Sequence, residues 1–236
     1  MDINYDFTWN LPIIIMQIVS YAVIILLITI TYKKQSQKPS RGKALLVTLV
    51  GLFSFSITLP YQSNEISLAI LPLGVGLLWL IFKKRSLERW ELYKRYAWLG
   101  FGINYIFLIV SLLTPLLYDA IYEKGDPNTY IADADVASVD RTHDSAPKAS
   151  LNSEKFDDAL QDLREEPVES MNWYESSNIN DRAERFPYVL KGTEPQFGSS
   201  LISIIYVEND GKGLLITSND KQIYFRTDQS FLEEDE

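Results

Sequence analysis

The sequence predicts a membrane all-α bundle of four transmembrane helices, followed by a small extracytoplasmic α+β domain with a three- to four-stranded antiparallel meander. Three observations predict it. Four long runs in the first half are nearly free of charge. Lys and Arg gather in every second connection between those runs. Near the C-terminus, two turn signals separate three apolar, alternating segments.

Composition divides the chain before any element is assigned. Hydrophobic residues make up 47% of the 236, ordinary for a soluble protein. The halves differ sharply, however: residues 1–118 carry a net +6 and residues 119–236 a net −15, within a total of −9. Such a split points to two environments. The chain has no Cys, which excludes disulfides, a thiol nucleophile and Cys-ligated metal.

The apolar runs occupy residues 11–32, 44–61, 66–82 and 97–118. A helix rises ~1.5 Å per residue, so ~20 residues cross a ~30 Å hydrocarbon core. The first and fourth runs meet that length. The second and third are short, and as spans they would use Lys43 and Lys83 reaching outward to the interface, or a locally thinned bilayer. The first run is expected to be a retained helix, not a cleaved leader. Its flank MDINYDFTWN carries two Asp and no Lys or Arg, and no small-residue cleavage pattern follows the run.

Orientation follows from the connections. Lys plus Arg count none in residues 1–10, five in 33–43, none in 62–65, six in 83–96 and one in 119–135. Basic flanks stay cytoplasmic because they resist translocation and pair with anionic headgroups. The expected location is therefore the cell membrane, multi-pass, with the N-terminus and the acidic half extracytoplasmic. Lys33, Lys34, Lys83, Lys84, Arg85 and Trp90 are the expected topology anchors. The stretch KKRSLERWELYKRY (83–96) also sets Leu87, Trp90, Lys94 and Ala97 near one helical face, as in an interfacial helix that runs into the fourth span.

None of the four runs contains Asp, Glu, Lys, Arg or His. This argues against proton-coupled transport and intramembrane proteolysis, which place ionisable groups within spans. Gly74, Gly76, Gly100, Gly102 and Asn104 are the candidate helix-packing residues, the glycines by close approach and Asn104 by an interhelical hydrogen bond. Pro72 is expected to kink the third span, and Pro115 to disturb the outer end of the fourth.

In the acidic half, residues 119–149 are read as an acidic linker with few large apolar residues. Asp133, Asp135 and Asp140 alternate there, without the glycine turn of a calcium loop. Residues 150–166 predict a helix, with Phe156, Ala159, Leu160 and Leu163 on one stripe. In residues 168–185, Met171, Trp173 and Tyr174 are expected to pack. Residues 201–227 predict the meander. Two-residue loops at Asp210-Gly211 and Asn219-Asp220 pair Val207 with Leu214, Ile205 with Ile216, Ile216 with Ile223 and Leu214 with Phe225. All of these fall on one apolar face, which the helix stripe should cover. Residues 185–191 are expected to add a fourth strand, kept at an edge by Pro187. The folded domain is bounded at 150–230, with an acidic tail at 231–236.

No chemistry-bearing motif emerges. His143 is the only His and lies in the loop-like VDRTHDSAP. No phosphate-binding glycine loop is present. No catalytic, cofactor-binding or metal residue is assigned, and no cofactor is expected. The expected partners are membrane lipid and a membrane or extracytoplasmic protein. Nucleic acid is excluded, because the acidic half repels polyanions. Tyr206 and Tyr224, on the opposite face of the meander, are the candidate partner surface. The expected function is a non-enzymatic binding or regulatory role. The alternatives are an accessory subunit of a transporter or channel and a toxin-immunity protein. Oligomeric state is left open.

Overall fold

The computed structural model describes residues 9–61, 64–169, 173, 184–218 and 221–234. The chain divides into two compact units, one of residues 11–118 and one of the remainder.

The first unit holds α1 (Leu11–Lys34), α2 (Arg41–Gly51), α3 (Leu73–Arg85) and α4 (Leu87–Ile121), with a hairpin of β1 (Phe55–Tyr61) and β2 (Asn64–Leu71) between α2 and α3. Among the described residues only α1 and α4 are long and apolar enough to cross a membrane. The expectation of four transmembrane helices is therefore overturned. The second and third runs are each divided between a short helix and a strand. At ~1.5 Å per residue, the 11 residues of α2 and 13 of α3 reach only ~16 and ~20 Å, well short of a crossing. The reason lies in the period. Phe53, Phe55, Ile57 and Leu59 alternate with Ser54, Ser56 and Thr58, a two-residue repeat that a helix would scatter around its axis. Pro60 sits opposite Glu65 in the two-stranded hairpin, where its missing N–H breaks no interior ladder. Pro72 does not kink a span; it is the residue immediately before α3.

The basic ends of the four helices gather together. Ala44, Val47, Val75, Leu78, Tyr93, Tyr96 and Ala97 form one buried cluster. Phe82 stacks on Tyr93 at 5.5 Å between ring centres. Gln35, between α1 and α2, donates from Nε2 to the Leu92 carbonyl at 2.8 Å. The stretch expected as an interfacial helix is the first part of α4, without a break before the apolar run. Its buried face holds Tyr93, Tyr96 and Ala97, while Leu87 is exposed.

The second unit is larger than the expected meander. Among the described residues its main sheet has six strands, ordered β3 (Ser138–Arg141), β6 (Tyr188–Lys191), β7 (Ser203–Val207), β8 (Gly213–Ser218), β9 (Lys221–Arg226) and β5 (Arg164–Glu166), all antiparallel. Within it, β7, β8 and β9 pair as Val207–Leu214, Ile205–Ile216, Ile216–Ile223 and Leu214–Phe225. That is the register read from the alternation. The Asn219-Asp220 turn lies outside the described residues, as do Met171 and Tyr174.

The apolar face is covered by α5 (Ser153–Asp162), through Phe156, Ala159 and Leu160, with Leu163 just beyond its end. Asn152 caps it, its side-chain oxygen accepting the Lys155 N–H at 2.9 Å. The helix is shorter than expected. No apolar residue extends the stripe past Leu163, and residues 164–166 instead satisfy their backbone by pairing with β9.

Three further expectations change. Residues 119–149 are not a linker: they supply β3 and β4 (Ala149–Leu151), and Tyr130, Ile131 and Ala146 enter the core. Backbone bonds from Ala132 to Glu194 and from Gln196 to Thr129 fasten the stretch down. A few well-placed anchors thus order a segment whose average composition is polar. Strand β6 lies inside the sheet, not at its edge, because Pro187 precedes the strand and needs no ladder partner. In the expected tail, Phe231 is fully buried and β10 (Leu232–Glu234) pairs with β4.

Candidate functional site

The outer face of the six-stranded sheet carries the charged cluster that the sequence reading missed. Glu208 follows β7, and its side chain is only 5% exposed. Arg185 Nη2 meets its Oε1 at 2.7 Å, and Arg226 Nη1 meets its Oε2. The Tyr224 hydroxyl donates to the same Oε2 at 2.6 Å. Arg226 also reaches the Tyr224 oxygen at 3.0 Å and Asp210 Oδ2 at 2.6 Å. Gly213 makes room for this. A Cβ there would strike the Glu208 carboxylate and come within 2.8 Å of the Tyr224 oxygen.

Aromatic rings close the cluster. Trp173 packs edge-on to Tyr224 at 5.1 Å and to Phe186 at 5.6 Å. The Arg185 guanidinium lies 4.5 Å from the Trp173 ring centre, a cation–π contact. Both guanidiniums are matched by acids, so among the described residues the cluster has no unspent positive charge for an anion. Its chemistry is that of a buried ion network that fixes the ends of β7, β8 and β9.

Tyr224 is therefore covered, not an exposed contact residue. Tyr206 is half-buried. The exposed apolar positions of this region are Ile202 and Ile204, at 69% and 51%, with Ile204 on the same face of β7 as Tyr206. Had the two-residue period been carried one step past Tyr206 and one past Tyr224, it would have reached Glu208 and Arg226. Those are opposite charges on one face, and that was the available signal.

Burial pushes the Tyr224 phenol above its usual range, and the bond it donates to the Glu208 carboxylate adds to the effect. Burial likewise raises Tyr122 and Tyr130. A phenol that holds its proton more tightly when folded stabilises the fold fully below the unfolded pKa of about 10, and this is lost as pH rises through the folded value. Alkaline titration of phenolate absorbance should therefore show a late-ionising group among the 14 tyrosines, coupled to loss of folded structure. Tyr224→Phe should remove part of it. A single common transition would contradict the buried placement.

The remaining predicted residues separate clearly. Gly100 meets the Thr48 carbonyl and the Gly51 backbone, and Gly74 meets the Val50 carbonyl. Gly76 and Gly102 face open space. Asn104 donates from Nδ2 to the Leu52 carbonyl at 3.1 Å and to Phe101 at 3.0 Å. Lys33, Lys34, Lys83, Lys84 and Trp90 stand at the gathered basic ends. Lys83 lies 4.4 Å from the Trp79 ring centre. Arg85 closes α3.

His143 Nδ1 is 2.8 Å from Ser145 Oγ in an exposed loop, where Ser145 also accepts the Glu184 N–H. That is a local turn contact, and among the described residues no carboxylate hydrogen-bonds the ring. Asp140 pairs with Lys191. Among the described residues, no three of His, Asp or Glu gather as a metal site. No protein-family model, curated protein or solved structure matches the chain.

Proposed function

We propose that the chain is an integral membrane protein crossing the bilayer through α1 and α4, with its acidic unit displayed outside as a non-enzymatic binding or regulatory module. One observation carries this reading. Along α1 only Pro12 and Ser20 are buried, so an apolar surface stands open all round the helix. Water would penalise that surface, and lipid accommodates it. The α1 C-terminus and the α4 N-terminus carry the basic clusters, which keeps that end cytoplasmic. Two crossings then return residue 119 to the outer side. There, Ile202 and Ile204 form an exposed apolar strip on an acidic unit, suited to a protein partner with an apolar patch and a basic rim.

A specific observation favours a second role, as an accessory subunit of a larger membrane complex. The Tyr105 hydroxyl donates to the Ala69 carbonyl at 2.9 Å, which sets β2 beside the apolar part of α4. At that depth a two-stranded hairpin presents open edges, and lipid cannot satisfy open backbone groups. A neighbouring protein would.

The test uses the absence of Cys. Ser36→Cys lies between α1 and α2, and Gln229→Cys lies in the acidic unit; both positions are exposed. In intact cells a membrane-impermeant maleimide should label position 229 and spare 36. Labelling of 36 alone would reverse the orientation. Isolation in mild detergent with a stoichiometric membrane protein would favour the accessory role, and isolation with an extracytoplasmic protein would favour the binding module.

A further inference from the structure

We propose that the basic end of the helical unit holds one anionic phospholipid in a dedicated cavity between α1, α2 and α4. The inference rests on the membrane reading above and adds a ligand to it. The cavity measures about 450 Å³, within the usual range for a small-molecule site. Tyr32, Lys33, Lys38, Arg41, Leu45 and Tyr96 are among its lining residues.

The chemistry is divided as a phospholipid requires. Ala44 and Leu45 from α2 and Ile28 from α1 offer apolar wall for an acyl chain. Lys38 and Arg41 stand over the Tyr32 ring, at 6.0 and 5.8 Å from its centre, and hold the cationic side. Neither they nor Lys33 pairs with a carboxylate among the described residues. The α2 N-terminus adds to this positive end, since Ser40 provides no side-chain cap for it.

The independent sign of a missing ligand is Tyr96. Its side chain lines the cavity from α4 and is fully buried, yet its hydroxyl has no hydrogen-bond partner. A buried hydroxyl left without a partner is costly. A phosphate or ester oxygen seated between Lys38 and Arg41 would supply the acceptor. Basic pockets between transmembrane helices at the cytoplasmic side bind acidic headgroups by this combination of charge and apolar wall.

The full chain, from isolated membranes, is first washed with alkaline carbonate. Release by the wash would refute the membrane reading itself, and this proposal with it. Retained chain is solubilised in zwitterionic detergent, and its unfolding temperature is followed while phosphatidylglycerol or phosphatidylcholine is added. Phosphatidylglycerol should raise the temperature saturably, and phosphatidylcholine should not. Tyr96→Phe, and separately the pair Lys38→Gln with Arg41→Gln, should raise the half-saturating concentration about tenfold. The pair Lys43→Gln with Arg89→Gln removes equal charge outside the cavity lining and should change it about twofold or less.

Equal responses to the two lipids would overturn the proposal while leaving the membrane reading intact. So would an equal loss in the charge-matched pair, which would indicate general surface attraction. Glycerol phosphate alone reproducing the full shift would also overturn it, in favour of a soluble phosphate. If Tyr96→Phe lowers the basal stability, the rim pair decides.

Discussion

Glu208→Gln is expected to destabilise the acidic unit by about 3 kcal/mol, the lower end of the cost of breaking a buried ion pair. Glutamine keeps the shape and an oxygen for the Tyr224 hydroxyl. It leaves the Arg185 guanidinium without a carboxylate partner among the described residues, and Arg226 with Asp210 alone. The lower end applies because the Arg185 and Arg226 side chains are 34% and 30% exposed, so water screens part of the unpaired charge. For a unit of this size, the unfolding temperature should fall by roughly 10–20 °C. Near-ultraviolet circular dichroism of the full chain reads this directly, through Trp173 and Tyr224 in the aromatic cover. Glu208→Gln combined with Arg185→Gln should recover about 1 kcal/mol or more relative to additivity, because the second change removes the cation whose carboxylate partner among the described residues is Glu208 alone. A single variant within about 0.5 kcal/mol of wild type would show the cluster to be energetically idle.

Gly100→Ala should destabilise the helical unit by about 1–3 kcal/mol, the range for inserting one methyl group into a packed contact. The added carbon would strike the Thr48 carbonyl and the Gly51 backbone, and main chain yields less readily than a flexible side chain. Gly102→Ala supplies the contrast. Nothing lies within 4 Å of its Cβ position, so the change only improves helix propensity, by up to about 1 kcal/mol. The two substitutions are chemically identical and two residues apart, yet should move thermal stability in detergent in opposite directions. Movement in the same direction would refute the α2–α4 contact. Gly74→Ala and Gly76→Ala should repeat the contrast on α3, since Gly74 abuts the Val50 carbonyl and Gly76 faces open space.

The sequence reading and the structure agree where the signal was periodic, and part where it was an average. Alternation placed Ile205, Val207, Leu214, Ile216, Ile223 and Phe225 on one face. A slip of one residue would have turned charged and polar groups inward, so only one register buries that set. Averages misled in both directions. Residues 44–61 and 66–82 are as apolar as spans, but Ser56 and Thr58 alternate with apolar residues in the first strand of a hairpin, and the second run supplies its partner strand. Residues 119–149 are as polar as a linker, but Tyr130 and Ile131 are core residues.

The candidate surface shows the same division. Period and turn signals put Tyr206 and Tyr224 on one face. What covers Tyr224 arrives from Trp173, in a stretch without clear periodicity, and from Phe186, just before β6. The packing glycines show it too. Gly74, Gly76, Gly100 and Gly102 read alike in sequence, and only the approach of another backbone separates the first and third from the others.

The sequence by itself determined the charge partition, the apolar character of α1 and α4, and the register of β7 with β8 and β9. Each follows from composition or from a repeat within a short stretch, so local physics is sufficient. Only the tertiary structure decided that the middle runs fold as short helices joined by a hairpin, that β6 lies within the sheet, and that Glu208 is buried between Arg185 and Arg226. Those outcomes depend on which distant segment satisfies a backbone edge or a buried charge, and the energy of that choice belongs to the contact, not to either segment alone.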